Sequence, residues 1–142
     1  MDLTTTYVFD AAHRIVGHPG KCAWLHGHTY HLELTVSSEA LDPLGMVMDF
    51  DDLRELVGKT ILERWDHATL LAADDPLAPA IRAVQREAPE RVVLLPGPPT
   101  AEILTRQAWA SLEGRLPAGV TLERVAIRET PACGSALSRP RT

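Results

Sequence analysis

Two stretches of strict alternation bracket a loop that carries most of the chain's histidine. Residues 2–9 put Leu3, Thr5, Tyr7 and Phe9 on one side. Residues 28–36 put Tyr30, Leu32, Leu34 and Val36 on one side and Thr29, His31, Glu33 and Thr35 on the other. Period-two patterning of this kind belongs to strands with one buried face. Residues 10–27 between them are broken by Gly17, Pro19, Gly20 and Gly27 and read as loop. The two strands are predicted to pair as an antiparallel hairpin. A connection that long inside a compact domain usually carries function.

The rest of the chain adds helices and two more strands. Asp49 has the character of an N-cap, with Asp51 and Asp52 in the favourable first turn. Phe50, Leu53, Val57, Ile61 and Trp65 follow at helical spacing, so 50–65 reads as an amphipathic helix. Residues 74–99 are proline-rich around a weak helical stretch at 79–87, and 91–95 reads as a short strand. Thr100 can cap a helix over 101–114 packed through Leu104, Ala108 and Leu112. Residues 120–128 form a last strand, with a bulge expected near Glu123-Arg124 where the apolar phase shifts. The tail from Pro131 reads as irregular. Hairpin-paired strands with helices on one face predict an α+β fold, and no linker divides residues 1–142 into two domains.

Composition excludes several classes. A net charge of −5 argues against nucleic acid as a partner, because phosphate-backbone binding needs a concentrated basic face. No apolar run approaches the roughly 20 residues that span a bilayer, so no membrane partner is expected. Residues 1–10 lack a charged-then-apolar leader, and the default location is cytoplasmic. Two cysteines, Cys22 and Cys133, make no disulfide framework. Arg14 and Lys21 are either local contacts for a small phosphorylated ligand or solvated charges.

Five of the six histidines lie at 13, 18, 26, 28 and 31. Residues i and i+2 of a strand share a face, so His26 and His28 can reach one ion, and Gly27 between them crowds nothing. His13, just past the first strand, falls beside them if the hairpin forms. Three neutral imidazoles with an open fourth position make a catalytic zinc site. His31 has the opposite parity and His18 sits in the loop, so neither is expected to be a ligand. Cys22 admits three readings: a fourth ligand, a buried small hydrophobe, or a reactive thiol whose thiolate a neighbouring lysine or metal would favour. Asp66-His67 reads as a helix-terminal cap or as a carboxylate-oriented histidine. Glu102 suits a first helical turn. Glu129 shares parity with Val125 and Ile127 and can grip guanidine-like N–H groups of a ligand, or make a surface salt bridge.

The segments FDAAHRI (9–15), KCAWLHGHTYHLEL (21–34), GMVMDFDDL (45–53), WDHATL (65–70), PTAE (99–102) and IRET (127–130) run in the order found in one family. Together they resemble the 6-pyruvoyl-tetrahydropterin synthase / 6-carboxy-tetrahydropterin synthase family. The resemblance implies a tunnelling fold (T-fold), a four-stranded antiparallel sheet with two helices on one face. It also implies assembly into a homohexamer, a dimer of trimers, with active sites between subunits. It makes His13, His26 and His28 ligands of Zn2+, Cys22 the catalytic thiol, Asp66 and His67 its partner dyad, and Glu129 the anchor of the pterin ring, with Glu102 a neighbour.

The implied substrate is 7,8-dihydroneopterin triphosphate. KCAWLHGH and GMVMDF look more like the bacterial 6-carboxy branch, which yields 6-carboxy-5,6,7,8-tetrahydropterin, acetaldehyde and triphosphate on the way to 7-deazapurines such as queuosine. The alternatives are a 6-pyruvoyl-tetrahydropterin synthase and a non-catalytic zinc- or pterin-binding module of the same fold. The chain departs from the family after Glu129-Thr130, where it reads PACGSALSRPRT without the aromatic residue many relatives carry.

Overall fold

The structure is a computed structural model and describes residues 1–140. Its strands are β1 (Asp2–His13), β2 (His26–Ser37), β3 (Ala68–Ala72), β4 (Val92–Leu95), β5 (Thr121–Thr130) and β6 (Cys133–Ser138). Its helices are α1 (Phe50–Val57), α2 (Glu63–Trp65), α3 (Leu77–Val84) and α4 (Ala101–Leu112). The strands form one sheet in the order β4-β3-β1-β2-β5-β6. The expected hairpin is present: β1 and β2 pair antiparallel from Asp2↔Ser37 to His13↔His26.

The four-strand expectation needs correcting in two places. An antiparallel four-stranded unit exists, but it is β1-β2-β5-β6, and its fourth strand is Cys133–Ser138 rather than 91–95. The tail expected to be irregular is thus a strand. Gly134 permits it, because a Cβ there would lie 2.5 Å from the Ile127 carbonyl oxygen. The strand near 91–95 instead pairs parallel with β3, which itself pairs parallel with β1. The expected bulge is observed: Thr35 faces Arg124 and Val36 faces Leu122, leaving Glu123 as the extra residue of β5.

One face of the sheet is covered and holds the main core. Phe9, Tyr30, Leu32, Leu34, Val36, Val125 and Ile127 meet Leu53, Val57, Ile61 and Trp65 of the first helical segment and Leu104, Ala108 and Leu112 of α4. Leu53, Val57, Ile61 and Trp65 recur every four residues, a spacing that drifts around an ordinary α-helix. The wider π turn at Gly58–Leu62, between α1 and α2, brings all four back to the sheet. Asp49 caps Asp51 N–H and Thr100 caps Ile103 N–H, as their positions predicted. The weak helical stretch read at 79–87 is a third helix beyond the two that the resemblance implied, and it packs Ala78, Leu77 and Ile81 of α3 on the other side of β3 and β4 through Leu71 and Val92.

The opposite face of β1 and β2 is open. Thr4, Thr6, Val8 and Asp10 of β1 and Gly27, Thr29 and His31 of β2 are exposed. The two faces are called inner and outer below. No helix among the described residues is long and apolar enough to cross a membrane.

Candidate active site

The hairpin places the three histidines together on the inner face. His13 ends β1 and pairs directly with His26, which opens β2, while His28 faces Ala11. Their ligand atoms all lie within 4.8 Å of one another. Beneath them Tyr30 stacks on Phe9 at 5.0 Å and presents its ring edge-on to His13 and His28. Gly27 is needed here: a Cβ would stand 3.3 Å from the Ala11 carbonyl oxygen across the hairpin.

Hydrogen bonds define which nitrogens face the centre. His13 Nδ1 donates to the Pro99 carbonyl at 2.7 Å, and His26 Nδ1 donates to the Trp24 carbonyl at 2.7 Å. A carbonyl oxygen only accepts, so each Nδ1 carries the proton and each neutral ring leaves a lone pair on Nε2. Those two Nε2 atoms are 3.1 Å apart. A hydrogen bond between them would require a second proton on one ring, and burial holds the His13 imidazole below its ordinary pKa. Two converging lone pairs fit a cation: tetrahedral zinc at its usual Zn–N distance sets nitrogens about 3.3 Å apart. Second-ring N–H donation to backbone carbonyls is the usual way a protein orients metal-binding histidines. The Pro99 contact, 86 residues from His13, was not legible in the sequence.

Glu129 Oε1 lies 4.0 Å from His13 Nδ1, with its side chain largely buried, so this carboxylate borders the cluster. Glu102 is exposed in the first turn of α4, three residues after Pro99. Cys22 is a free, half-buried thiol in a 3-10 turn at Lys21–Ala23, and its Sγ is not part of the close histidine group. That geometry removes the fourth-ligand reading. His18 and His31 are also outside the group; His18 Nδ1 accepts Gly20 N–H, and His31 points to the outer face.

His67 lines the outer face of the sheet, and Asp66 stands beside it at the edge of β1 that meets β3. They lie at the end of α2 against Asp10, an outer-face residue of β1. Asp10 N–H donates to Asp66 Oδ1 at 2.9 Å, His67 N–H donates to the Asp10 carbonyl at 2.6 Å, and Thr29 Oγ1 donates to Asp10 Oδ1 at 2.6 Å. The same Asp66 oxygen is 3.0 Å from His67 Nδ1. The backbone N–H of Asp10, and then His67, holds the Asp66 carboxyl below the usual carboxylate range. His67 has φ of 56°, a left-handed conformation unusual for a residue with a side chain. Strain of this kind persists where surrounding contacts over-determine it, and here the Asp10 clasp does so. The imidazole is 75 % exposed, so Nε2 is free to meet something outside this chain. A shallow concavity lined by Asp10, Thr29, His67 and Thr69 surrounds it. Asp10 and Thr29 were not singled out from the sequence, although they lie inside the segments FDAAHRI and KCAWLHGHTYHLEL.

Arg14 is neither a solvated charge nor a free phosphate contact. Its guanidinium grips Asp75 through Nε and Nη2, and the Asp75 side chain is fully buried.

Comparison with known proteins identifies the fold and the family. The profile described as 6-pyruvoyl tetrahydropterin synthase matches residues 2–140. A 6-carboxy-5,6,7,8-tetrahydropterin synthase of Rickettsia felis is 33% identical over 127 residues, covering 88% of this chain and 91% of that one. The Haemophilus influenzae protein of the same name is 30% identical over 132 residues, covering 91% and 92%. Among solved structures, an uncharacterized protein of Wolinella succinogenes superposes with a TM-score of 0.83 at 22% identity, covering 99% of this chain and 98% of that one. The Caenorhabditis elegans 6-pyruvoyl tetrahydropterin synthase superposes with a TM-score of 0.68 at 21% identity, covering 99% and 96%. The fold is therefore the α+β tunnelling fold, with six strands among the described residues. From the profile match over nearly its whole length and the relatives that share its sequence, the chain belongs to the 6-pyruvoyl tetrahydropterin synthase family.

Proposed function

We propose that this protein is a zinc-dependent lyase that converts 7,8-dihydroneopterin triphosphate to 6-carboxy-5,6,7,8-tetrahydropterin, releasing acetaldehyde and triphosphate. The observation that carries the reading is the convergence of the Nε2 atoms of His13 and His26, 3.1 Å apart, each ring turned by an Nδ1 bond to a backbone carbonyl, with His28 beside them. The names borne by relatives at 30% identity and above favour the 6-carboxy product over the 6-pyruvoyl one. The family resemblance read from the sequence implies that this product lies on the way to 7-deazapurines of the queuosine type, and we propose a cytoplasmic location.

In this reading His13, His26 and His28 hold the ion. Bound zinc would polarise the side-chain oxygens of the substrate and acidify the adjacent C–H bonds. Cys22, free and outside the ligand set, takes the proton as thiolate. Glu129, beside the cluster, accepts the ring N–H groups of the pterin, with Glu102 near the same end of the site. His67 moves the second proton at Nε2, because Asp66 holds its Nδ1–H.

The two groups of residues occupy opposite faces of one sheet, so a complete site takes its dyad from a second copy. That supports a homo-oligomer with sites between subunits, and the dimer of trimers is the assembly we propose. Incubating zinc-loaded protein with 7,8-dihydroneopterin triphosphate and identifying products by mass tests the activity. The expected products are acetaldehyde and a 6-carboxy pterin; a 6-pyruvoyl product, or no turnover, contradicts it.

A further inference from the structure

The segment between His13 and His26 has few apolar anchors. Val16, Trp24 and Leu25 are exposed, and no residue of the Lys21–Ala23 turn is buried. What holds it is a run of polar contacts that begins at Asp75. This carboxylate, at the corner between β3 and α3, accepts Arg14 Nε at 2.9 Å, Arg14 Nη2, and the Leu77 N–H at 2.8 Å. The next residue, Ile15, donates its N–H to the Cys22 carbonyl at 2.7 Å. The turn continues through Trp24 N–H to the Lys21 carbonyl at 3.1 Å, and the Trp24 carbonyl orients His26. The root of the loop, the backbone of Cys22 and the carbonyl that orients His26 are thus tied by successive hydrogen bonds along one segment.

A buried ion pair is a poor way to gain stability alone, since an apolar pair of similar volume usually does as well. Its value lies in geometry. Arg presents a rigid planar fork, and a bidentate grip by a carboxylate fixes both its distance and its direction. Asp75 is itself immobilised by the Leu77 N–H, so the fork is aimed from a fixed point of the sheet.

We propose that Asp75 is a positioning residue that acts through Arg14 to set the loop carrying Cys22. This rests on the catalytic reading of Cys22 given above. Neither residue touches the metal group or the Asp66–His67 dyad directly in this chain.

The test uses the full-length, zinc-loaded protein and its Asp75→Asn variant. Four quantities are read: amide hydrogen exchange at Ile15, bound zinc per chain, kcat and KM. The expected result is that Ile15 exchange accelerates about tenfold more than that of the core-strand amides, which report the global stability alone. Zinc content stays at the wild-type level. kcat falls about 10- to 100-fold while KM moves by less than about twofold, as for a small misplacement of a reacting group. Asp75→Glu, which can restore the fork, recovers part of the lost kcat. If Asp75→Asn does not fold, Arg14→Lys, which keeps the charge and loses the fork, takes its place.

Unchanged kcat overturns the proposal, as does a fall in kcat with Ile15 protection intact. A stability loss that Asp75→Glu does not separate from the kcat loss overturns it too. Should the wild type turn over no dihydropterin, the functional reading fails separately. The exchange measurement then still decides whether Asp75 sets the loop.

Discussion

At one end of the β1–β2 hairpin the two faces of the sheet are built in opposite ways. On the inner face His13 is buried, and two of the three imidazoles are oriented by backbone carbonyls. On the outer face His67 stands three-quarters exposed on a strained backbone, clasped by Asp10. Burial on the inner side keeps His13 neutral and its lone pair available, which suits a cation. Exposure on the outer side leaves an oriented imidazole with nothing of its own chain to act on. Strand parity teaches the lesson: Asp10 and Ala11 are neighbours in sequence and point to opposite sides. One hairpin therefore carries the histidine group on one face and the Asp10 clasp on the other.

The largest expected effect breaks the inner half. His28→Ala removes one of three ligands, so purified protein is expected to lose its zinc and all measurable turnover. Metal analysis of the variant, or of wild type after chelation, checks this; retained stoichiometric zinc would sink the ligand assignment.

Next, His67→Ala breaks the outer half alone. kcat is expected to drop about 10²- to 10⁴-fold, the range for a positioned acid–base group, with zinc content unchanged. Loss of zinc with loss of the ring would show that the two faces are not separable in this way.

A smaller effect concerns the tie between the loop and the sheet. Removing the charge in Asp75→Asn is expected to destabilise the fold by about 1.5–3 kcal/mol at neutral pH, the scale of hydrogen bonds to a charged group. The sign of its pH dependence follows from the carboxyl being held low by Arg14. A carboxyl with a folded pKa below its unfolded value stabilises above the unfolded value, about 3.9, and loses that contribution as pH falls through the folded one. The Tm gap between wild type and variant should be widest near neutrality and close in strong acid. A gap that persists unchanged at low pH would contradict the pair's role.

The smallest expected effect is Gly27→Ala. A Cβ placed 3.3 Å from the Ala11 oxygen forces the hairpin apart by a few tenths of an ångström. A loss of about 1 kcal/mol in urea unfolding is expected.

What could be read from the sequence follows the same division. β1 and β2 were legible because one face meets solvent, so Leu3 to Phe9 and Tyr30 to Val36 alternate with polar residues. β3 was not: Ala68, Leu70, Leu71 and Ala72 are all buried, so ATLLA has no alternation to find. Cys133–Ser138 has weak strand propensity and is mostly exposed, and pairing with β5 alone makes it a strand. The histidine group was legible because its members are local to one hairpin. Of the contacts that orient it, Trp24 to His26 is local but Pro99 to His13 comes from afar, as does the Asp75 grip on Arg14 at the root of the loop, and no local pattern records these two. The residues alone left Cys22 open among ligand, buried small hydrophobe and reactive thiol, and the resemblance made it the catalytic thiol; in the structure its sulfur stands outside the three-histidine group.

The central claim is that the inner-face cluster of one copy works with the outer-face dyad of another. Mixing the inactive variants Cys22→Ala and His67→Ala under conditions that exchange subunits tests it directly. If the halves meet between copies, sites that take Cys22 from one variant and His67 from the other are intact. Activity should then return to about one quarter of wild type for random assembly. If the thiol and the dyad serve the same chain, every site keeps one defect, and the mixture stays as inactive as its parts.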